Sequence, residues 1–362
     1  NVDPMTVAFD RPYIFAAHSP LSHSPRLLMH HKTPFSSSKL PPELCDIIIN
    51  HLESDWTSLS VCALVCKSWL PRSRSLLFPE SFTFKLRRSN IHKFRTSLES
   101  PYASITPFIR RIAVFSPWIK DTVLFDELEH VVLHLVPRLN GISFTAYPDQ
   151  ILRKPQLIRC LSRTITSFSL RCDSGSVDEG LDGREILQLL KPFSERLENL
   201  ELELDTLGIW LAQPIQAYAL FPHMHLKHLR RLRLSVPWNS ILPWFLVPNF
   251  MELPVLSVLV VDIGNTQTRA GSYHLLQAFL DRLCSRTVEE MEFRFYYGSL
   301  PPIDLRNFGL LRSLVLKGWH YDDMGIENGR RRVNDMLASV PKERKVHVYV
   351  KDEVKVIIRR KH

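Results

Sequence analysis

The spacing of apolar residues changes near residue 78 and divides the chain into two patterned parts. Before that point, apolar residues recur at helical spacing, which predicts an amphipathic helix. Its apolar positions are Leu44, Ile47, Ile48 and Leu52, with Cys45 and Ile49 widening the face. Pro41 and Pro42 suit the first turn of this helix, because the first turn leaves its N–H groups unpaired in any case.

A second helix is predicted after Asp55 or Thr57, since either residue can cap its first turn. The apolar positions assigned to this helix are Leu59, Cys62, Cys66 and Trp69, with Val61 and Val65 on a neighbouring stripe. Pro71 ends the run and opens a last short turn through residues 76–78. These segments are apolar on more sides than a helical hairpin can bury, so the rest of the chain or a partner must cover the surplus.

After residue 78, a motif of the form apolar-x-x-apolar-x-apolar returns eight times, and each copy predicts a short strand. The copies are Ile109/Ile112/Val114, Leu139/Ile142/Phe144, Ile165/Phe168/Leu170, Leu197/Leu200/Leu202, Leu229/Leu232/Leu234, Leu256/Leu259/Val261, Val288/Met291/Phe293 and Leu311/Leu314/Leu316. Their first members are 23–32 residues apart. Further apolar residues extend the series at both ends; they are Phe82, Phe84, Val346, Val348 and Val350.

Helical stripes of apolar residues lie between the strands, in 121–139, 184–197 and 273–283. Strand–helix units of this length cannot each bury a face alone, so they stack on their neighbours. The pattern therefore predicts a curved parallel sheet backed by helices. A doubly wound α/β domain would also alternate strands with helices. No glycine-rich phosphate loop follows any of the strands, which weighs against the nucleotide-binding forms of that alternative.

The net charge of +9 is concentrated at the end of the sequence. Residues 342–362 hold eight Lys or Arg against three Asp or Glu, a net of +5. This indicates a solvated basic tail more than a nucleic-acid-binding domain, although such a tail can contact RNA or acidic partners. At the other end, residues 1–37 lack periodicity and are expected to be disordered. Their acid-poor composition is also typical of an organelle-targeting peptide, and Met5 or an upstream residue is the expected initiator.

The six cysteines are scattered along 362 residues, which favours reduced thiols in the cytoplasm or nucleus over a disulfide scaffold. No apolar run reaches the roughly 18 residues that a membrane span needs. The sequence contains none of the G-x-S-x-G, H-E-x-x-H or G-x-x-x-x-G-K-[ST] motifs. Cys62 and Cys66 could share a helix face, and three histidines cluster at 223, 225 and 228, but neither group has the partners a metal site needs. We expect no catalytic site, metal or cofactor.

The order of residues in the first part resembles an F-box. The opening Leu40-Pro41-x-Glu43-Leu44 and the closing Val65-Cys66-Lys67-x-Trp69 both match that family's motifs at the expected separation. The resemblance implies a three-helix module that docks the Skp-type linker subunit of a cullin–RING ubiquitin ligase. Eight residues would then face the linker subunit. They are Leu40, Pro41, Leu44, Ile48, Leu52, Leu59, Val65 and Trp69.

The second part resembles a leucine-rich repeat array, whose signature is L-x-x-L-x-L-x-x-N. The asparagine position departs from the signature in this chain. It holds Asp173 and Asp205 in two copies, and Pro117, Pro237, Tyr296 or Trp319 in others. We therefore expect an irregular arc. Aromatic residues at or just past the strand ends are candidate contacts for a substrate that the sequence does not identify. They are Trp118, Tyr147, Trp210, Trp238, Tyr296, Tyr297, Trp319 and Tyr321.

The combined pattern predicts four segments: a disordered 1–37, an F-box domain at 38–78, a leucine-rich-repeat-like domain at 79–350 and a basic tail at 351–362. The function implied by the resemblance, which is strongest to fungal F-box families, is substrate recognition in an SCF-type ubiquitin ligase. In that role the chain is a non-catalytic adaptor that binds a protein substrate, with nucleic acid and membrane not expected as partners. The alternative is a repeat-based protein-binding scaffold with no ubiquitin role, in which the helices only cap the array.

Overall fold

The computed structural model of the protein describes residues 40–101, 103, 105–116, 121–172, 183–204, 224–235, 251–263, 273–284, 286–296, 302–320, 326–340 and 346–354. The predicted disorder of residues 1–37 concerns a segment outside these ranges. The positions compared with the repeat asparagine at 117, 173, 205 and 237 also lie outside them.

Three short helices come first: α1 (Pro42–Asn50), α2 (Trp56–Val65) and α3 (Leu70–Leu77). Of the two predicted caps of α2, Asp55 is the one that acts, because its carboxylate accepts hydrogen bonds from the backbone N–H groups of Thr57 and Ser58. Helix α2 ends at Val65, so Cys66 and Trp69 lie beyond the helix to which the sequence assigned them. Pro71 occupies the first turn of α3, as predicted.

Ten strands follow and form one parallel sheet in the described residues. They are β1 (Thr83–Arg87), β2 (Arg111–Phe115), β3 (Gly141–Thr145), β4 (Ser167–Cys172), β5 (Asn199–Leu204), β7 (Arg231–Ser235), β9 (Val258–Ile263), β10 (Glu290–Tyr296), β11 (Ser313–His320) and β12 (His347–Val354). Two short strands, β6 (Met224–His225) and β8 (Met251–Glu252), pair separately. The strands of the large sheet stand side by side in chain order. A doubly wound sheet reverses its order at a switch point, and the described strands show no such reversal.

The eight apolar triplets predicted from sequence form the inner layer of this sheet. Each of their members is at most 3% exposed. Their second members share one row across the sheet, running from Ile112 through Leu232 to Leu314, and their third members share another, from Val114 through Leu234 to Leu316. The predicted parallel sheet backed by helices is therefore confirmed, and its core consists of repeated positions.

Helices lie between the strands in the chain and bury apolar faces against this inner layer. They are α4 (Ile91–Glu99), α5 (Thr122–His130), α6 (Pro148–Leu152), α7 (Pro155–Thr164), α8 (Gly183–Leu190), α9 (Tyr273–Phe279) and α10 (Ile326–Ser339). Helices α5 and α9 each continue into a π-helical turn, at Val131–Leu135 and Leu280–Cys284. No helix in the described part of the chain is long and apolar enough to cross a lipid bilayer.

A cluster of aromatic rings joins the three-helix module to the first strand. Trp56 of α2 stacks on Phe82 with ring centroids 5.8 Å apart, and Phe78, just after α3, meets Phe82 edge-to-face at 5.4 Å. Phe82 contacts Phe84 of β1 at 4.9 Å. The cluster belongs to the same continuous core as the sheet. Helices α1–α3, which we call the module, and the sheet with its helices, which we call the array, therefore share one hydrophobic interior.

The last strand crosses a boundary that the sequence placed after residue 350. Residues Lys351–Val354 continue β12 and pair with Lys317–His320 of β11. The basic tail therefore begins later than predicted, and residues 355–362 lie outside the described ranges. Strand pairing uses backbone N–H and C=O groups, so the strand can continue through polar residues such as Lys351 as well as through apolar ones.

Candidate functional site

Exposed apolar side chains are concentrated on the three-helix module. In the described residues, thirteen large hydrophobic side chains are exposed, and seven of them lie within residues 40–65. They are Leu40, Leu44, Ile47, Ile48, Val61, Leu64 and Val65. We call these seven residues the apolar surface. An apolar side chain left in water costs free energy that burial would recover, so such a concentration marks a surface suited to a partner.

The rotation of α1 leaves one of its apolar stripes uncovered. Leu44, Ile47 and Ile48 recur at helical spacing and share one side of the helix. A neighbouring stripe, Cys45 and Ile49, is buried against the core. The helix is therefore apolar over a wider arc than its own protein covers.

Helix α2 is apolar on opposite sides. Leu59 has no exposed surface and Cys62 is also buried, so these residues form the inner side. Val61, Leu64 and Val65 lie on the far side, and Leu64 is 83% exposed. A helix that is apolar all round is ordinarily buried all round. Here the outer half of α2 has no cover within the described residues.

The structure divides the eight residues predicted to contact a partner into three groups. Leu40, Pro41, Leu44, Ile48 and Val65 are exposed, Leu52 and Trp69 are half-buried against the core, and Leu59 is fully buried. Leu59 therefore supports the apolar surface from beneath, because the rotation of α2 directs it inward. Five of the eight are available to a partner in full and two in part.

Three residues of the apolar surface were not among those eight: Ile47, Val61 and Leu64. The signal that would have found them is helical spacing. Val61 precedes Val65 by four positions and Ile47 follows Leu44 by three, so each shares a side with a residue already selected. Leu64 follows Val61 by three positions and lies beside it. The sequence motif includes only certain positions of each helix, whereas a partner would contact every exposed residue on that side of the helix.

Cys66 sits at the edge of this surface and is chemically distinct from Cys62. Its backbone is extended, with φ −159°, so the two cysteines do not share a helix face as the sequence suggested. Its exposed sulfur lies 3.0 Å from the Ser68 hydroxyl. That hydrogen bond, together with the N–H of Trp69, lowers the pKa of the Cys66 thiol below the usual value. Cys62 is buried.

A shallow groove of about 390 Å³ lies between α1 and α3. Its lining is Pro42, Cys45, Asp46, Ser68, Pro71, Arg72 and Ser75. Arg72 is engaged there, because its Nε donates to the Asn50 side-chain oxygen at 2.7 Å and ties α3 to α1. The groove offers one carboxylate and no nucleophile–base pair.

The predicted histidine cluster does not assemble within the described residues. His223 lies outside them, and the Nδ1 of His225 is 3.1 Å from a Glu252 carboxylate oxygen, across the short β6–β8 pair. In the ranges that the structure describes, no group of three or more His, Cys, Asp or Glu side chains could hold a metal ion. Of the aromatic residues predicted at the strand ends, Tyr147 is the one whose side chain the structure describes, and it is half-buried.

A second surface is the side of the sheet that faces away from the apolar triplets. We call it the open face; it consists of the first, third and fifth residues of each strand, because side chains alternate along a strand. Ion pairs cross its centre, between Arg233 and Glu201 and between Arg171 and Glu203. Further along, Glu292 lies between Arg294 and Lys317.

The environment of Glu292 shows how strongly these pairs hold the negative charge. Burial by itself would raise the pKa of this carboxyl. The hydrogen bonds from Lys317 and Arg294 outweigh burial and lower the pKa below its ordinary value. The central and distal parts of the open face are therefore internally neutralised.

No model of a known protein family matches the chain, and no curated protein matches its sequence. The features of the chain that bear on its function are therefore the motif order of residues 40–69 and the two surfaces described above.

Proposed function

We propose that the protein is the substrate-recognition adaptor of an SCF-type cullin–RING ubiquitin ligase. In this proposal, helices α1–α3 are an F-box that docks a Skp-type linker subunit, and the parallel array behind them is a leucine-rich-repeat-like arc that holds a protein substrate. The array contributes no chemistry. It holds the substrate near the charged ubiquitin-conjugating enzyme, and tethering raises the effective concentration of the substrate's lysines.

The observation that supports docking most directly is the apolar surface. It falls on the residues that carry the F-box-like order, Leu40 to Val65, and it is exposed in the isolated chain. Burying a half-exposed Leu, Ile or Val side chain contributes about 1 kcal/mol. Together, seven such side chains would offset part of the free energy lost when two molecules associate, and a partner that covers them needs an apolar groove of its own.

The arc proposal is supported by the chain order of ten parallel strands and by the repeated buried positions. An array in which each unit contacts its neighbours is typical of repeat proteins that bind extended protein surfaces. The departures from the repeat asparagine remain the reason for proposing an irregular arc.

A linker pulldown tests docking. The double variant Leu44→Asp/Ile48→Asp places charge on the apolar surface, at side chains that are 46% and 42% exposed, so that the new carboxylates can remain in water. We expect co-purification of a co-expressed linker subunit to fall by about tenfold or more. The matched control is Val123→Asp/Val255→Asp, which makes the same change at exposed apolar residues outside the module. The control should retain the linker.

Retention of the linker by the Leu44→Asp/Ile48→Asp protein would overturn the docking claim. Under proteasome inhibition, the same variant should still capture substrate, since the array is unchanged. Circular dichroism of both variants checks that the fold is intact.

A scaffold with no ubiquitin role is the second candidate, and one observation favours it. The aromatic cluster of Trp56, Phe78 and Phe82 builds the helices into the core of the array, as a terminal cap would be. If the wild-type chain captures partners but no linker subunit, the scaffold is the better account.

A further inference from the structure

The open face carries its charge unevenly. Its twelve positions on β1–β4 include the cations Lys85, Arg87, Arg111 and Arg171 and no carboxylate. The other eight are Thr83, Ala113, Phe115, Gly141, Ser143, Thr145, Ser167 and Ser169. Carboxylates begin at β5, with Glu201 and Glu203. The first four strands are therefore a basic surface bounded by acids.

Three of these cations are available to a ligand. Lys85, Arg87 and Arg111 are exposed, and within the described residues none of them is in an ion pair, whereas Arg171 is paired with Glu203 at 3.3 Å. An exposed cation with no neutralising partner raises the local concentration of anions. We call Lys85, Arg87 and Arg111 the basic triad.

Two contacts hold members of the triad flat against the sheet. The guanidinium carbon of Arg87 lies 5.5 Å from the ring centroid of Phe115, its register partner, in a cation–π contact. The Arg111 side chain crosses Gly141 of the next strand so closely that a Cβ there would lie 3.0 Å from its Cγ. Both arginines are thus partly ordered before any ligand arrives, which reduces the entropy lost on binding.

The side chains beside the triad are small and project little from the sheet. Ala113, Gly141, Ser143, Ser167 and Ser169 have small side chains, so an extended backbone can approach the sheet closely. Four strands about 4.8 Å apart span about 15 Å, which accommodates four or five residues of an extended chain. Serine hydroxyls can donate to its carbonyl and carboxylate oxygens.

We propose that the basic triad binds a short acidic segment of a protein substrate, with Phe115 contacting an apolar side chain within it. This inference rests on the proposed function and names the class of substrate that the array would hold. A nucleic acid is a poorer fit, because a polyanion crossing the face would leave the triad for strands whose cations are already paired with carboxylates, as Arg233 is with Glu201 and Arg171 with Glu203. A short acidic peptide ends before it reaches them.

The test uses the full chain and fluorescence anisotropy with three labelled probes. The first is a synthetic peptide in which glutamate alternates with glycine around a central leucine. The second has glutamine in place of every glutamate, and the third is a single-stranded oligoribonucleotide of the same length. We expect the acidic peptide alone to bind, more weakly as salt is raised.

The variant Lys85→Glu/Arg87→Glu/Arg111→Glu should lose acidic-peptide affinity by about tenfold or more. Its control, Lys93→Glu/Arg138→Glu/Arg159→Glu, makes the same change in net charge at exposed residues away from the open face, and should bind as the wild type does. Neither variant touches the apolar surface, so both should retain the linker subunit. That readout separates failure of this inference from failure of the proposed function.

Three results would overturn the inference. They are no binding of the acidic peptide, equal losses in the two variants, and RNA binding that exceeds peptide binding and depends on the same three cations.

Discussion

At the scale of single residues, two cysteines four positions apart in sequence have opposite environments. Cys62 is in the core of the module, whereas Cys66, one residue past the end of α2, is exposed beside Ser68. The difference arises because the backbone leaves helical geometry at Cys66. A spacing of four predicts a shared face only while the helix lasts.

The lowered pKa of the Cys66 thiol gives a prediction about reactivity. A lower pKa populates the thiolate, which is the nucleophile, at lower pH. Iodoacetamide should therefore label Cys66 before the other five cysteines, with a half-maximal rate at a lower pH than for the same cysteine in the unfolded chain. Peptide mass spectrometry measures this. Cys284 should stay unlabelled in the folded protein, because burial raises the pKa of its thiol.

Labelling also reports docking, since Cys66 adjoins Val65 of the apolar surface. Bound linker subunit should slow the labelling of Cys66 and leave that of the half-buried Cys160 unchanged. Equal labelling of Cys66 with and without the linker would place the interface elsewhere on the module.

At the scale of elements, the buried side of α2 should contribute to stability and its exposed side to binding. The substitution Leu59→Ala removes a fully buried side chain and should lower the free energy of unfolding by about 2–5 kcal/mol. Leu64→Ala changes a side chain that is mostly in water and should alter it by less than about 0.5 kcal/mol. Denaturant unfolding measures both.

In a binding assay the order of the two positions should be reversed, with position 64 tested by an aspartate substitution that places charge on the apolar surface. Leu64→Asp is expected to weaken linker capture, whereas Leu59→Ala, at a temperature where it stays folded, is not. If Leu64→Asp captures the linker as well as the wild type, the outer side of α2 is not part of the interface.

The strands were predictable because the spacing of apolar residues within each triplet indicates which side of the strand is buried. Two apolar residues separated by one position share a side of a strand, and all eight triplets are buried as expected. Helices α4, α6, α7 and α10 were not identified, although α4 carries Ile91, Phe94 and Leu98 at helical spacing. They are short, and tertiary contacts rather than intrinsic propensity stabilise helices of this length.

The two surfaces were predictable to different degrees. The apolar surface was found in part, because a helix brings near neighbours in sequence onto one side. The basic triad was not found, since its members lie on two strands and become one surface only when β1 pairs with β2, which places Arg111 beside Thr83 and Arg87 beside Phe115. The apolar triplets set this register, but they concern the buried side of the strands, and the charged residues of the other side follow no repeated pattern of their own.

At the scale of the whole molecule, the aromatic cluster places helices α1–α3 and the sheet in one hydrophobic core, so we expect them to unfold as one cooperative unit. Phe82→Ala removes a ring that contacts Trp56, Phe78 and Phe84, and should cost about 3–5 kcal/mol. Hydrogen exchange should then speed up in α2 and β1 together. The control Phe115→Ala, at an exposed ring, should leave exchange in both unchanged.

Faster exchange in α2 alone would contradict a shared core. It would indicate that the helices open independently of the sheet, as a separately folded domain would.

The chain order of the strands also allows the sheet to fold while the protein is being synthesised. Each strand of the large sheet pairs with the strand laid down just before it and the strand laid down just after it. During synthesis, each new strand can therefore pair as soon as it leaves the ribosome, because the strand next to it in the sheet has already been made. The sheet then grows in one direction, from β1 to β12, which is the last strand in the described residues.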